Sequence, residues 1–501
     1  MLTRSLVVIA SLTTGVAAHA TLTDEALDRL DARWRTLVGE LDIPGVAITV
    51  VRKGHEPFYA TYGSTTPDRD NPITPDTLFY IASCTKSFTA FAICQLAESG
   101  QLDLDEKVST YIPEFRTSDQ AEEFLTVRDL LSHRQGLEGT SLITAAEAFT
   151  GLAHDDYINR ISQRDVTASG EYRYGNYHYT LVGRVIESAT GLSWKKYLEE
   201  ELFVPAGMSR TTTSADQMYL DANAAHPMLK TKGGRWILAP NKKTDRTMHA
   251  AGGIGSTATD MARWLALNLD GGTIAETQLL SHESSMEMQS PQVTLNERFG
   301  PYQRTAYGLG WHVDAWHNQT LVSHFGGYEG ASAHVSFMPD QNLGVAILCN
   351  TSDRASTIFI HGIMATDVYN TLLGEPLLDE MLEAVKSMAS KDPSESWTID
   401  RPAHDNNPAV VKDGLSHEPS VYTGRYTHPD WGTIVLTYND NELKAVIGDL
   451  RIGLVSKGTD AFWLFDSFNS ASDAQFILED GNVSALHVVL NAQGSYEFVR
   501  E

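Results

Sequence analysis

Apolar positions recur along this chain in several rhythms, and each rhythm predicts a different kind of element. Leu27, Leu30, Trp34, Leu37 and Leu41 return at helical spacing and predict an amphipathic helix near the start. The runs Val46-Ala47-Ile48-Thr49-Val50-Val51 and Phe58-Tyr59-Ala60-Thr61-Tyr62 flank Lys53-Gly54-His55, as in a hairpin. A helical, loop-rich middle follows. There the run Leu78-Phe79-Tyr80-Ile81-Ala82 leads into Phe88, Phe91, Ala92 and Leu96 at helical spacing, which predicts a helix opening at Ser83. Later, Thr320–His324, Ala333–Phe337 and Val345–Leu348 read as three antiparallel strands, and residues 358–390 read largely as helix.

After residue 390 the pattern changes. Lys391–Ser396 and Asp405–Pro408 are polar and contain proline, which predicts a linker over 391–418. Short alternating stretches such as Thr433–Tyr438 and Leu486–Leu490 then alternate with turn signals at Asn439-Asp440 and Asp480-Gly481. That regularity predicts a small all-β barrel or sandwich over residues 419–501. At the other end, Arg4, an apolar run opening at Leu6 and the tripeptide Ala18-His19-Ala20 form a secretory signal pattern over residues 1–20. The expectation is an exported protein, secreted or periplasmic, with a catalytic region over 21–390. No other stretch reaches the roughly 18 apolar residues of a membrane span, so none is expected.

Composition narrows the function classes. The chain has 501 residues with 42% hydrophobic and 20% charged content, enough for a large core and more than one domain. A formal charge of -26 argues against a nucleic-acid partner, since a polyanion would be repelled. The three cysteines, Cys84, Cys94 and Cys349, cannot make a disulfide framework. Cys84 and Cys94 lie ten residues apart on one predicted helix, roughly 15 Å along its axis and too far to bridge. No His, Cys, Asp or Glu cluster has metal-ligand spacing, so neither a metal nor another cofactor is expected. Asn318, Asn350 and Asn482 head tripeptides that would be glycosylation sequons in a eukaryotic secretory route.

The candidate chemistry rests on three ordered motifs: Ser83-Cys84-Thr85-Lys86, Tyr174-Gly175-Asn176 and His324-Phe325-Gly326. A serine hydroxyl is a poor nucleophile until a base takes its proton, and a lysine one helical turn later lies on the same face. The helix N-terminus adds backbone N–H groups and the positive dipole end, which favour the negative charge that develops in acyl transfer. Two decoys show how little one motif means: Ser193-Trp194-Lys195-Lys196 also fits Ser-x-x-Lys, and Tyr157-Ile158-Asn159 also fits Tyr-x-Asn. Ser193 opens a charged surface helix rather than following an apolar run, which argues against it. Tyr174 stands among Tyr172, Tyr177 and Tyr179, where packing is the ordinary role, and His324 is one of 17 histidines. Their order lifts both. Cys84 points about 100° away from Ser83 on the helix and is expected in the core.

Taken together these motifs resemble those of the class C β-lactamase-related serine hydrolases, a superfamily of D-Ala-D-Ala carboxypeptidases, D-aminopeptidases, carboxylesterases and β-lactamases. The likeness runs from about Leu41 to Asn350 and includes Gly100–Asp105, Leu125–His133, Ala251–Met261 and Phe337–Gln341. It implies an α/β fold of the β-lactamase/transpeptidase type, an antiparallel sheet with helices on both faces plus a helical subdomain. Tyr422-Thr423-Gly424-Arg425-Tyr426 is similar to the opening of the lipocalin-like domains attached to several members. The resemblance implies Ser83 as nucleophile, with Lys86 and Tyr174 sharing the proton transfers. It implies Asn176 and His324 as substrate-positioning residues, with Gly326 and Gly327 beside them and the N–H groups of Ser83 and Gly327 as the oxyanion hole. Two departures stand out. The third motif begins with His324 where true β-lactamases have lysine, which shifts the odds away from antibiotics, and Arg134-Gln135-Gly136 replaces the usual Thr-Ser-Gly. The expected substrate is a small molecule or peptide, with D-amino-acid peptides leading. A carboxylesterase, then a β-lactamase, then a catalytically silent binding protein are the alternatives.

Overall fold

The computed structural model describes residues 22–117, 119–138, 158, 167–230, 234–239, 241–352, 357–390, 414–429, 432–439, 442–448, 450–465, 471–489 and 495–501. The expected signal peptide, the linker up to residue 413, Tyr157 and Asn159 lie outside them. Six helices of twelve residues or more organise the described residues, with shorter ones between them: α1 (Asp24–Glu40), α2 (Thr85–Glu98), α3 (Asn176–Thr190), α4 (Ala258–Leu269), α5 (Thr357–Leu373) and α6 (Asp379–Ser390). The opening helix has the predicted stripe, with Leu27, Leu30, Trp34 and Leu37 buried, and the Thr23 side chain accepts a hydrogen bond from the Ala26 N–H at its start. The predicted helix over 358–390 is two, because Gly374 turns at φ +70 and Pro376 follows.

The sheet has eight antiparallel strands: β1 (Gly45–Arg52), β2 (Phe58–Gly63), β3 (Val293–Phe299), β4 (Tyr302–Tyr307), β5 (His312–Trp316), β6 (Gln319–Tyr328), β7 (Ala331–Met338) and β8 (Leu343–Cys349). Their order is β3-β4-β5-β6-β7-β8-β1-β2, so the predicted hairpin joins the last strand, with Thr49 opposite Ala346. Side chains alternate between two apolar clusters, which is why these strands read as unbroken hydrophobic runs. Val46, Ile48 and Val50 pack with α1 and with Ile360, Ile363 and Val368 of α5. Ala47, Val335 and Leu348 join Phe88, Phe91 and Trp264 on the other face. There Phe88 stacks on Trp264 at 3.9 Å, and every residue of α2 except Gln95, Ala97 and Glu98 is buried. This is the fold the resemblance implies.

The C-terminal segment closes an eight-stranded meander: β9 (Gly424–His428), β10 (Gly432–Asn439), β11 (Glu442–Ile447), β12 (Leu450–Gly458), β13 (Ala461–Phe465), β14 (Ala471–Glu479), β15 (Asn482–Val489) and β16 (Ser495–Arg500). Closure comes from β9 on β16, with Tyr426 opposite Arg500. Asp480 and Gly481 both have positive φ, +50 and +77, as a two-residue hairpin turn requires. The phrase Tyr422–Tyr426 lies at this seam: the Tyr426 hydroxyl donates to Tyr422 O at 2.8 Å and Arg500 to Thr423 O at 2.7 Å. Phe462, Phe476, Leu486 and Phe498 help fill the interior. The barrel shares one apolar cluster with Leu78, Tyr80, Ala82 and Tyr328, the residues flanking the first and third motifs. Among the described residues no helix is long and apolar enough to cross a membrane.

Candidate active site

Ser83 stands in a single 3-10 turn, Ala82–Cys84, that runs directly into α2. The turn is set by its neighbours. Phe79 and Tyr80 pair with Ser256 and Gly255, the Ile81 N–H bonds Ile254 O at 3.0 Å, and Ala82 is driven to φ +46. An alanine in the left-handed region costs of order 1 kcal/mol and persists where surrounding structure imposes it, as it does here beside the serine. On the facing strand β6, a Cβ on Gly326 would meet Ile81 O at 2.1 Å and Ser83 N at 3.1 Å. Only glycine lets the strand approach this closely, whereas a Cβ on Gly327 would meet nothing within 4 Å.

Lys86 is fully buried, and its Nζ lies 3.2 Å from Ser83 Oγ, 2.7 Å from Asn176 Oδ1 and 2.8 Å from Ala251 O. The two carbonyl oxygens only accept, so each holds an N–H. An uncharged amine in this position has its lone pair left for the Ser83 hydroxyl, the arrangement a general base needs. Asn176 opens α3, which places its amide against α2. Ala251 belongs to the recurring block 251–261, but its contribution is a main-chain oxygen, and no side-chain pattern reveals it.

Tyr174 lies over this amine, with Lys86 Nζ 4.9 Å from its ring centre, and 40% of its surface is exposed. Burial of its hydroxyl end pushes the phenol up, and a hydrogen bond with Ser83 opposes that. His324 is only 1% exposed. Its Nδ1 donates to Phe325 O at 2.8 Å, which leaves Nε2 to accept from the Tyr307 hydroxyl at 3.3 Å. It therefore forms the wall behind Tyr174, 6.1 Å between ring centres, and fixes Tyr307.

Sequence reasoning missed three further rings around Tyr174: His133, Tyr307 and His312. His133 ends the helix Val127–Ser132 at φ +55, and its Nδ1 lies 2.8 Å from His178 Nδ1. Since the Leu137 N–H donates to His178 Nε2 at 3.1 Å, the His178 proton is on Nδ1 and points at His133. Burial depresses these imidazoles, His178 to about 4 and His133, His312 and His324 well below their ordinary range. The ring cluster is therefore neutral at pH 7. The Leu131-Ser132-His133 phrase was the one available signal for this wall.

The remaining sequence features have structural roles. Arg134 pairs with the buried Asp129 at 2.7 Å, and a Cβ on Gly136 would strike Arg173 Cβ at 2.1 Å, so Arg134-Gln135-Gly136 ties a loop down. Ser193 caps its helix by accepting from the Lys196 N–H. Cys84, Cys94 and Cys349 are free and buried. Asn350 is buried with its amide on Ser64 O, unavailable as a glycan acceptor in the folded chain.

Comparison with known proteins agrees with this geometry. The Beta-lactamase family model matches residues 30–359. Penicillin-binding protein 4 of Amycolatopsis lactamdurans is 27% identical over 350 residues, covering 68% of this chain and 88% of that protein. Protein flp of Staphylococcus aureus (strain NCTC 8325 / PS 47) is 26% identical over 338 residues, 66% of this chain and 65% of its own length. Among solved structures, the octameric penicillin-binding protein homologue from Pyrococcus abyssi aligns with a TM-score of 0.62 at 20% identity, over 95% of this chain and 100% of that one. The D-amino acid amidase from Ochrobactrum anthropi SV3 aligns with 0.55 at 22% identity, over 73% and 100%. With the Ser83-Lys86 pair at the head of a buried helix and the family model spanning most of the catalytic region, the chain belongs to the beta-lactamase family, as a class C β-lactamase-related serine hydrolase.

Proposed function

We propose that this protein is an exported hydrolase of peptides or amides built from D-amino acids, acting through an acyl-enzyme on Ser83. The observation that carries the reading is the placement of Lys86, held by two carbonyl oxygens against Ser83 Oγ, in a site whose third motif starts with histidine instead of lysine. Ser83 attacks the carbonyl while Lys86 accepts its proton, and the Tyr174 hydroxyl, whose ring lies over the Lys86 amine, relays a proton to the leaving group. The N–H groups of Ser83 and Gly327 stabilise the oxyanion, a contribution of about 3 kcal/mol per donor. Water then resolves the ester by the reverse relay. The D-amino-acid class is supported by the fold shared with the D-amino acid amidase and by the similarity to penicillin-binding protein 4. Export is supported by the signal pattern of residues 1–20.

The test is turnover of D- and L-alanine p-nitroanilides beside p-nitrophenyl acetate. The reading predicts at least roughly a hundredfold preference for the D-anilide, the size of discrimination a shaped site gives. Hydrolysis of the acetate with neither anilide cleaved would overturn it in favour of a carboxylesterase.

A further inference from the structure

Tyr174 stands in a loop ahead of α3 with 40% of its surface exposed, so its hydroxyl is placed only as well as its neighbours hold it. A proton relay needs that hydroxyl within hydrogen-bond reach of the reacting atoms, and a displacement of about 1 Å removes much of its effect. Two histidines hold the loop from either side. Before Tyr174, the Arg173 N–H donates to His133 O at 3.0 Å. After it, His178 Nδ1 lies 3.3 Å from Gly175 O. The imidazole of His133 completes the clamp. It lies 4.7 Å from the Tyr174 ring between centres, closer than Tyr307, His312 or His324 at 6.1 to 6.3 Å.

His133 is itself held from several directions. It follows the short helix Val127–Ser132 in the left-handed region, at φ +55, a conformation that a side chain of this size adopts where surrounding structure imposes it. The imposing contacts are the capping box of Thr126 and Asp129, the ion pair of Arg134 with Asp129 at 2.7 Å, and the Tyr179 hydroxyl, which donates to Leu131 O at 2.7 Å and ties this helix to α3. The proton on His178 Nδ1 makes His133 Nδ1 an acceptor at 2.8 Å, so the neutral His133 ring carries its own proton on Nε2. That Nε2 is buried and, among the described residues, has no hydrogen-bond partner. One bond to His178 therefore fixes the ring plane and leaves a buried donor unsatisfied. Packing alone would be met by an apolar ring without that penalty, and backbone strain beside a reacting group is a mark of functional sites.

We propose that His133 is the positioning residue for Tyr174: fixed against His178, it holds the second motif so that the tyrosine hydroxyl meets the leaving group. The inference rests on the reading of Ser83 as the nucleophile and Tyr174 as the proton relay, but not on the D-amino-acid class.

The experiment compares two esters of one acid: p-nitrophenyl acetate, whose leaving group departs as an anion, and trifluoroethyl acetate, whose alkoxide needs a proton. Because the acyl group is shared, the ratio of their kcat/KM values reads protonation of the leaving group. His133→Asn removes the ring and suits the left-handed backbone, which keeps the test open where His133→Ala does not fold. Each variant that keeps a cooperative melt should lower kcat/KM for trifluoroethyl acetate at least about tenfold more than for p-nitrophenyl acetate, within the range of a general acid. Tyr174→Phe should show the same split. Adding His133→Asn to Tyr174→Phe should not widen it, since a residue that acts through the hydroxyl has nothing left to position. Equal slowing of both esters by His133→Asn, the signature of a purely structural role, would overturn the inference, as would a wild-type ratio or a split that widens in the double variant. Tyr174→Phe without a split would sink the relay and the inference together. Fluorophosphonate labelling of the same preparations keeps the failures apart, since labelled wild type with an unchanged ester ratio in His133→Asn sinks only His133, whereas unlabelled wild type sinks the Ser83 reading.

Discussion

At Lys86, contacts of 2.7 and 2.8 Å to Asn176 Oδ1 and Ala251 O hold the amine 3.2 Å from Ser83 Oγ. The Ser83, Lys86 and Asn176 positions were legible because a lysine one turn after a serine has few packing reasons to be there. Ala251 was not, because a main-chain oxygen leaves no trace in residue identity. The neutral histidines were equally hidden, since a histidine is read as buried only after its cage is known. They carry a pH prediction. The His178 pKa is depressed by burial from 6.5 to about 4, so the unfolded chain takes up the proton first. Its stabilising contribution is complete above pH 6.5 and is lost as pH falls toward 4. Thermal melts of wild type and His178→Gln across that window should show the steeper fall in Tm for wild type. Parallel curves would mean that His178 is not held neutral.

Among elements, α2 and β6 determine the site together. The helix was legible from Phe88, Phe91, Ala92 and Leu96, all buried on the sheet side of the core. The strand was legible from its apolar alternation, yet the reason for its glycine was not, because Gly326 answers to a carbonyl 245 residues earlier, that of Ile81. The break between α5 and α6 is local by contrast: Gly374 and Pro376 outweigh an otherwise helical pattern, and both stood in the sequence. Gly326→Ala should move β6 away from Ser83 and slow fluorophosphonate labelling at least roughly a hundredfold, as small misplacements of reacting groups do. Gly327→Ala, whose Cβ has open space, should keep the wild-type Tm within the small range of surface substitutions. Equal labelling rates in Gly326→Ala and wild type would refute the close approach as the reason for the glycine.

For the whole molecule, the fold joins distant segments twice. The N-terminal hairpin completes a sheet begun by its C-terminal strands, and the barrel adds its core to the cluster that contains Tyr80, Ala82 and Tyr328. Local patterns named the strands in both regions, but pairing order and barrel closure depend on contacts between residues far apart, such as Tyr426 with Arg500. The account stands on Ser83 as a nucleophile activated by Lys86, and intact-protein mass after exposure to a fluorophosphonate tests it directly. Wild type should gain one adduct, Ser83→Ala none, and Lys86→Ala should react at least about a hundredfold more slowly, the usual contribution of a general base. An adduct on Ser83→Ala, or none on folded wild type, would contradict the account.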